Sequence, residues 1–359
     1  MNQVQLYSVL SGQDRSLQAA LLRISLAGMS PAYGTVVGVR NYLFDTGFRK
    51  IERLPRPTIS IGNLTTGGTG KTPLVIDLAR QLSEQGSPAA VLLRGYRPQK
   101  NDPNQSDEST LIRNELDSRA TVEASPNRAA AAQRVLNRDP QTRVFLLDDG
   151  FQHRHIHRDL DLVLIDATCP FGFGRLLPRG LLREPYRNLH RADAVIVTHA
   201  DQVDQEVLAE LDDQIASLHG QPPIAHSAHR WTSVWDGSDH RPIGDLRTKK
   251  VLAVCGIGNP ASFAWMVNRW TGQLLDLTIH NDHHAYSLSE LEQLIHRAEQ
   301  VGADALLTTG KDWIKWKPLL ANRPMTLPVL HPILKIEYLD GGAALEALIR
   351  KTVRDVSTY

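Results

Sequence analysis

The run Thr58-Ile59-Ser60-Ile61 passes directly into Gly62-Asn63-Leu64-Thr65-Thr66-Gly67-Gly68-Thr69-Gly70-Lys71-Thr72, and helix-forming sequence follows at once. A β-rich strand, a glycine-rich turn and a Gly-Lys-Thr that opens a helix are what a phosphate-binding loop requires. Glycines let backbone N–H groups turn inward on phosphate oxygens, and the helix N-terminus adds the positive end of its dipole. In such a loop Lys71 reaches the β and γ phosphates, and Thr72 offers its hydroxyl to Mg²⁺. The spelling G-x-x-x-x-G-K-[ST] fails at its first position, where Thr65 replaces Gly. The strand before and the helix after carry the assignment.

The loop sits in a βαβ rhythm. Thr58 to Asn63, Ala89 to Leu93, Val144 to Leu147, Leu162 to Ile165 and Ala194 to Thr198 are β-rich runs, with helical patterns at Thr72 to Gln85 and Asn127 to Asn137. Alternation of this kind implies a mainly parallel sheet with helices on both faces. A Gly, Asp, Ser and His-rich stretch from Trp235 to Asp245 then precedes a second series: Val251 to Cys255, Leu274 to His280, Ala305 to Thr308 and Val329 to Ile336. The expected fold is therefore α/β: a P-loop NTPase-like core over 51–248 and a smaller C-terminal α/β domain over 249–359, after an N-terminal helical segment over 1–50. Two domains also suit 359 residues, more than one core usually organises. The loop from Arg97 to Ser109 is polar and reads as mobile.

Forty Lys plus Arg against 39 Asp plus Glu leave a formal charge of +1, so no global field draws in nucleic acid. Cys169 and Cys255 form no C-x-x-C pair, which argues against a disulfide framework or a thiolate zinc site. No secretory pattern opens the chain, and it is expected to stay in the cytoplasm. Ile24 to Val39 is uncharged, but Gly28, Pro31, Gly34 and Gly38 interrupt it, and it falls short of the roughly 18 to 20 apolar residues of a crossing. Residues 1–60 carry seven basic and three acidic side chains. An apolar segment beside excess positive charge suits a helix lying in the interface of an anionic leaflet.

A phosphate loop also wants a carboxylate at the end of a neighbouring strand to hold magnesium or its water shell. Val144-Phe145-Leu146-Leu147-Asp148-Asp149 provides one, and Leu162-Val163-Leu164-Ile165-Asp166 is a second run ending in Asp. The pattern does not separate the two, although the double carboxylate favours Asp148 and Asp149. His153, His155 and His157 alternate, which on a strand would line three imidazoles on one face as Zn²⁺ or Ni²⁺ ligands. Arg175, Arg179, Arg183, Arg187 and Arg191 recur every fourth residue, but Pro178, Gly180 and Pro185 forbid one long helix. A guanidinium cluster on that loop could hold a phosphate of an acceptor or anionic headgroups.

Read in order, the loop with Pro73, Arg94-Gly95-Tyr96, Ser106-Asp107-Glu108, Asp148-Asp149-Gly150-Phe151-Gln152-His153, Leu182-Arg183-Glu184-Pro185 and Asp282-His283 closely resemble the tetraacyldisaccharide 4′-kinase family, the lipid A kinases. The match extends from about Arg56 to Lys315. The resemblance implies ATP- and Mg²⁺-dependent transfer of the γ-phosphate to the 4′-hydroxyl of a tetraacylated disaccharide 1-phosphate, at the cytoplasmic face of a bacterial inner membrane with anionic lipid. No obligate protein partner is implied. Carried over by position, Asp107 matches the catalytic aspartate and His283 its histidine partner, while Thr65, Thr66, Gly67, Gly68, Thr69, Gly70, Lys71 and Thr72 match the ATP site. Asp148, Asp149, Gln152, His153 and Glu184 match positions near the metal and acceptor, and Arg183 is expected on the acceptor. Gly310 departs from the Glu usual before Lys311-Asp312, and Trp231 to Lys249 has no family pattern.

Phosphoryl transfer to a sugar hydroxyl needs in-line positioning, charge neutralisation and a group that takes the acceptor's proton. Asp107 suits the last role, and His283 could tune it. The competing expectation from another class is a GTPase-like switch or metallochaperone, suggested by the histidines and by Thr198-His199-Ala200-Asp201 after a strand. A cytosolic small-molecule kinase, with an N-terminal segment that is ordinary core, is the third.

Overall fold

The computed structural model describes residues 3–95, 107–321, 323 and 325–356. The chain forms two compact units, one made of Tyr7–Ala228 with Ile336–Tyr359 and the other of His229–Lys335 with Met1–Leu6. This division differs from the boundary expected near Lys249, and it returns the C-terminal segment to the unit that carries the phosphate loop.

Elements alternate as the sequence implies: α1 (Gln3–Ser11), α2 (Leu17–Asp45), β1 (Thr58–Asn63), α3 (Lys71–Glu84), β2 (Ala89–Leu93), α4 (Asp107–Leu116), β3 (Thr121–Ala124), α5 (Arg128–Arg138), β4 (Val144–Asp148), β5 (Leu160–Asp166), β6 (Ala194–Thr198), α6 (Gln205–His219) and β7 (Ala225–Trp235). In the larger unit the strands lie in the order β7-β6-β5-β1-β4-β2-β3, and all pair in parallel. β1 is central, with Ile61 opposite Asp148 of β4 and Asn63 opposite Leu164 of β5. Both candidate carboxylate strands therefore flank the strand that feeds the loop.

Every residue of β1, β2, β4, β5 and β6 is buried, the mark of a parallel sheet covered on both faces. Val91, Leu93 and Leu146 face α3 and α4, whereas Ala90, Leu92, Phe145 and Leu147 face α5. α6 covers the β5–β6 region through Leu211 and Ile215. After β7 come β8 (His240–Pro242), β9 (Lys250–Cys255), α7 (Pro260–Trp270), β10 (Gln273–Ile279), α8 (Leu288–Gln300), β11 (Ala305–Thr308), α9 (Gly310–Leu320), β12 (Val329–Asp340) and α10 (Gly342–Val356). The smaller unit has a parallel sheet in the order β10-β9-β11-β12, with α7 on one face and α8 and α9 on the other. α10 packs Leu345, Ile349 and Val353 into the α3–α4 core of the larger unit.

Three local features add to the sequence reading. The polar stretch from Trp235 to Asp245 contains β8, with which Ser233, Val234 and Trp235 pair antiparallel. Pro31 and the glycines do not break the N-terminal helix, which runs 29 residues from the Ser16 cap. Pro31 is exposed there, so the lost backbone donor leaves a carbonyl that water can reach. Of the polar loop from Arg97 to Ser109, residues 97–106 lie outside the described residues, and Asp107 to Ser109 form the first turn of α4. Among the described residues, no helix is long and apolar enough to cross a membrane.

His226 of β7 ties the returning segment down. Its Nε2 lies 2.9 Å from Asp212 of α6, and its Nδ1 lies 2.9 Å from Asp340 at the end of β12. With both ring nitrogens facing carboxylates, the imidazolium is the favoured form. Burial opposes that charge, but hydrogen bonds to Asp212 and Asp340 prevail and raise the pKa. The stabilisation is thus complete below the unfolded value of about 6.5 and is lost as pH rises through the higher folded value. Urea unfolding between pH 6 and 9 should show stability falling with pH, and His226→Gln should remove that part of the slope. An unchanged slope in the variant would contradict it.

Candidate active site

Gly62, next to the end of β1, is glycine because a Cβ there would lie 2.5 Å from Phe151 Cβ. The chain then turns through Gly67 (φ 131°) and enters α3 from Gly70 in the left-handed region (φ 82°). The loop is fixed from outside as well. Thr66 N donates to Leu181 O at 2.7 Å, Arg183 N donates to Leu64 O at 2.8 Å, and Thr198 Oγ1 donates to Thr69 O at 3.0 Å. Thr65, Thr66, Gly67, Gly68, Thr69, Gly70, Lys71 and Thr72 are all present in the turn or in the first two positions of α3.

Lys71 Nζ lies 3.6 Å from Asp149 Oδ1, and Arg183 Nη1 is 2.7 Å from both Asp149 oxygens. Burial works against the Asp149 charge, but Lys71 and Arg183 hold the carboxyl down, to about 2. Asp149, expected as a metal ligand, is here the counterion of two cations. Asp148 differs. It ends β4, its Oδ1 is buried without a hydrogen-bond partner, and burial pushes its pKa up with Glu108 adding to the rise. A buried, unsatisfied carboxylate oxygen beside a phosphate loop is where a hard cation fits. Asp166, the other strand-end aspartate, accepts from Thr168 at 2.7 Å and lies 3.2 Å from His199 Nδ1.

Glu184 was expected on the acceptor, but it is fully buried. Its carboxylate accepts from Gln152 Nε2 (2.8 Å), Asn188 Nδ2 (2.8 Å), Arg191 Nη2 (2.6 Å) and Asn41 Nδ2 (3.3 Å). No oxygen is presented to a ligand, so Glu184 positions its neighbours. Gln152 also donates to Asn63 O at 2.8 Å, behind the phosphate loop. His153 is half-buried, and burial with the nearby Arg128 charge lowers its pKa to about 4, which keeps the ring neutral.

The alternating histidines do not form a metal face. Residues 151–157 are turns rather than a strand, with His155 edge-on to Phe44 and His157 Nε2 3.4 Å from Asp159. The described residues hold one three-residue group of potential ligands: His280, His284 and Glu290. There the imidazoles stack 4.2 Å apart at 17°, and His284 Nε2 lies 2.9 Å from Glu290. Nearly parallel rings keep their in-plane lone pairs from converging, so the group packs a loop. The arginine series also has separate uses: Arg179 donates to Leu10 O, Arg183 binds Asp149 and Arg191 binds Glu184.

Asp107 and Glu108 open α4, with Asp107 half-buried. Tyr96 and Ser106 of the same family motifs lie outside the described residues. His283 belongs to the smaller unit and Asp107 to the larger. Sequence reading missed Asn41 and Tyr33, which bring α2 onto the site: Tyr33 OH donates to Arg183 O at 2.8 Å. An asparagine buried at the end of an apolar helix was the available signal. Glu108, in the Asp107 motif but without an expected role, adds to the rise at Asp148, while the buried Arg128, which donates to Asp148 O at 3.2 Å, carried no signal.

Similarity to known proteins agrees with this geometry. The family described as Tetraacyldisaccharide-1-P 4'-kinase matches residues 22–354. The tetraacyldisaccharide 4'-kinase of Geobacter sulfurreducens is 34% identical over 360 residues, covering 96% of this chain and 97% of that protein. That of Halothermothrix orenii is 31% identical over 337 residues, 87% of each chain. The crystal structure of LpxK from Aquifex aeolicus, in complex with ATP, superposes with a TM-score of 0.69 at 28% identity, over 92% of this chain and 99% of that one. The chain belongs to the tetraacyldisaccharide-1-P 4'-kinase family.

Proposed function

We propose that the protein is an ATP-dependent kinase of lipid A biosynthesis that transfers a γ-phosphate to the 4′-hydroxyl of a tetraacylated disaccharide 1-phosphate at a membrane surface. The observation that carries this is the phosphate loop with Lys71 aimed at it, held by the Asp149–Arg183 pair, next to the unsatisfied Asp148 oxygen. ATP is the nucleotide seen in the related Aquifex aeolicus structure. A GTPase-like switch or metallochaperone is not favoured, because His153, His155 and His157 do not form a potential metal-ligand group among the described residues.

Lys71 places a positive charge on the β and γ phosphates, and the backbone N–H groups from Gly67 to Lys71 cradle them. Thr72 Oγ1 and Asp148 are the oxygen donors that would hold Mg²⁺, which when bound neutralises charge on the nucleotide oxygens. Asp107 takes the proton of the 4′-hydroxyl, and His283 tunes it; both roles follow from the family resemblance. The neutral ring of His153 and the amide of Gln152 are suited to hydrogen-bonding a sugar, and Arg183 Nη1 lies 3.4 Å from Gln152 Oε1.

The membrane side of the proposal rests on α2. One face docks through Ser30, Tyr33 and Asn41. The other exposes Leu17 (76%), Ile24 (69%) and Val36 (68%), with Leu21, Val39 and Tyr42 in the same stripe and Arg49 and Lys50 exposed beyond it. An apolar stripe of this length with flanking cations fits a helix lying in an anionic interface at the cytoplasmic face.

The defining experiment mixes purified protein, ATP and tetraacylated disaccharide 1-phosphate in detergent. Phosphate should pass to the glycolipid and depend on it, whereas acceptor-independent GTP turnover would overturn the proposal. Lys71→Ala should lower kcat/KM by roughly a hundredfold or more with an unchanged circular dichroism spectrum, since contacts to charge developing in a transition state are worth that much; activity above about a tenth of wild type would remove Lys71 from the site. For the helix face, Leu21→Glu with Ile24→Glu should keep the fold and reduce cosedimentation with phosphatidylglycerol vesicles. Unchanged sedimentation would remove the membrane role.

A further inference from the structure

His283 sits in a loop of the smaller unit with a left-handed backbone, φ 61°. Non-glycine residues are uncommon in that region and persist there when the surrounding structure fixes the loop. Two lysines of α9 do so. Lys311 Nζ lies 2.8 Å from Asp282 Oδ1 and 3.4 Å from His283 Nε2. One turn later Lys315 Nζ donates to His284 O at 2.9 Å. Between them Asp312 is fully buried and accepts from Gly256 N at 2.9 Å and Thr309 Oγ1 at 2.7 Å, which pins the start of α9 against the end of β9.

We propose that Lys311 is a positioning residue for phosphoryl transfer: its ammonium contacts Nε2 of His283 and holds the imidazole as the tautomer protonated at Nδ1. An ammonium has only hydrogens to offer, so the nitrogen it meets must be the one with the lone pair. Among the described contacts of the ring nitrogens are those with Asp282 on its own loop and Lys311 on α9; Lys315 donates to the His284 backbone, and the His284 ring is bonded to Glu290. Asp282 would favour a proton on Nε2, but its Oδ2 is 3.8 Å away, beyond hydrogen-bond reach, and its Oδ1 is engaged by Lys311. The ring is thereby fixed with Nδ1–H as its donor, the form in which a histidine hydrogen-bonds a carboxylate base. The catalytic part of this inference rests on the reading of His283 as the partner of Asp107.

The test reads the tautomer directly. In full-length protein labelled with ¹⁵N-histidine, with His283 assigned by loss of its signals in His283→Gln, long-range ¹H–¹⁵N correlations should show Nδ1 protonated and Nε2 bare. Lys311→Met should shift His283 toward the Nε2–H form, and Lys311→Arg should retain the wild-type pattern. In the same variants kcat should fall about tenfold or more for Lys311→Met, with KM for ATP unchanged, and recover with Arg. An Nε2–H pattern in the wild type, or one that Lys311→Met leaves alone, overturns the proposal, and the wild-type spectrum decides it even if the Met variant fails to fold. A tautomer shift with kcat unchanged overturns the role in transfer and removes His283 from the chemistry, while the Lys311 contact itself stands.

Discussion

The carboxylate of Asp149, shared between Lys71 and Arg183, is the contact on which the rest of the site depends. It joins three segments that meet nowhere else in the sequence: the first residue of α3, the turn after β4 and the loop that precedes Pro185. The side chains are 12%, 26% and 26% exposed, so the attraction is screened less than on an open surface. Asp149 itself lies at φ 53°, a conformation that a non-glycine residue keeps only when its surroundings impose it. The two ion pairs and the backbone bond from Gly150 N to Ile61 O accompany it here, and Asp148, at the end of β4, is buried without a partner for Oδ1. Two adjacent aspartates thus receive opposite environments: one neutralised by cations, the other buried with an unsatisfied oxygen.

From that contact the structure reaches the N-terminal helix in one step. Arg183 binds Asp149 through its guanidinium and Tyr33 through its carbonyl, while the neighbouring Glu184 collects Asn41, Gln152, Asn188 and Arg191. A fully buried carboxylate is tolerated only when its oxygens are satisfied, and removing one partner would leave a costly charge inside. Glu184 therefore makes the geometry of the loop around it inflexible. An α2 held this way presents its apolar stripe in a fixed relation to the phosphate loop.

Much of this was legible in the sequence, for physical reasons that differ between residues. The phosphate loop announces itself because only glycine meets its backbone demands at Gly67 and Gly70, and strands buried on both faces read as unbroken apolar runs. The different surroundings of Asp148, Asp149 and Asp166 were not legible, since they turn on which neighbour each carboxylate meets. The role of Glu184 was missed for the same reason, with Asn41 lying 143 positions away. The β7–β8 hairpin hid in a polar, glycine-bearing stretch, and the unit that α10 covers could not be read from its apolar stripe alone. Pro31 and three glycines argued against a membrane crossing, and α2 nevertheless runs through them as one continuous helix, because its docked face outweighs their weak helix preference.

Assigning opposite roles to the paired aspartates is the central claim, and calorimetric titration of ATP with and without Mg²⁺ tests it most directly. In Asp149→Asn, ATP affinity should fall by a similar factor in both conditions, because the anchor of Lys71 is lost while the oxygen donors remain. In Asp148→Asn, affinity without Mg²⁺ should be nearly that of wild type, and the gain on adding Mg²⁺ should disappear. Loss of the Mg²⁺ response in Asp149→Asn, with the response intact in Asp148→Asn, would contradict the assignment.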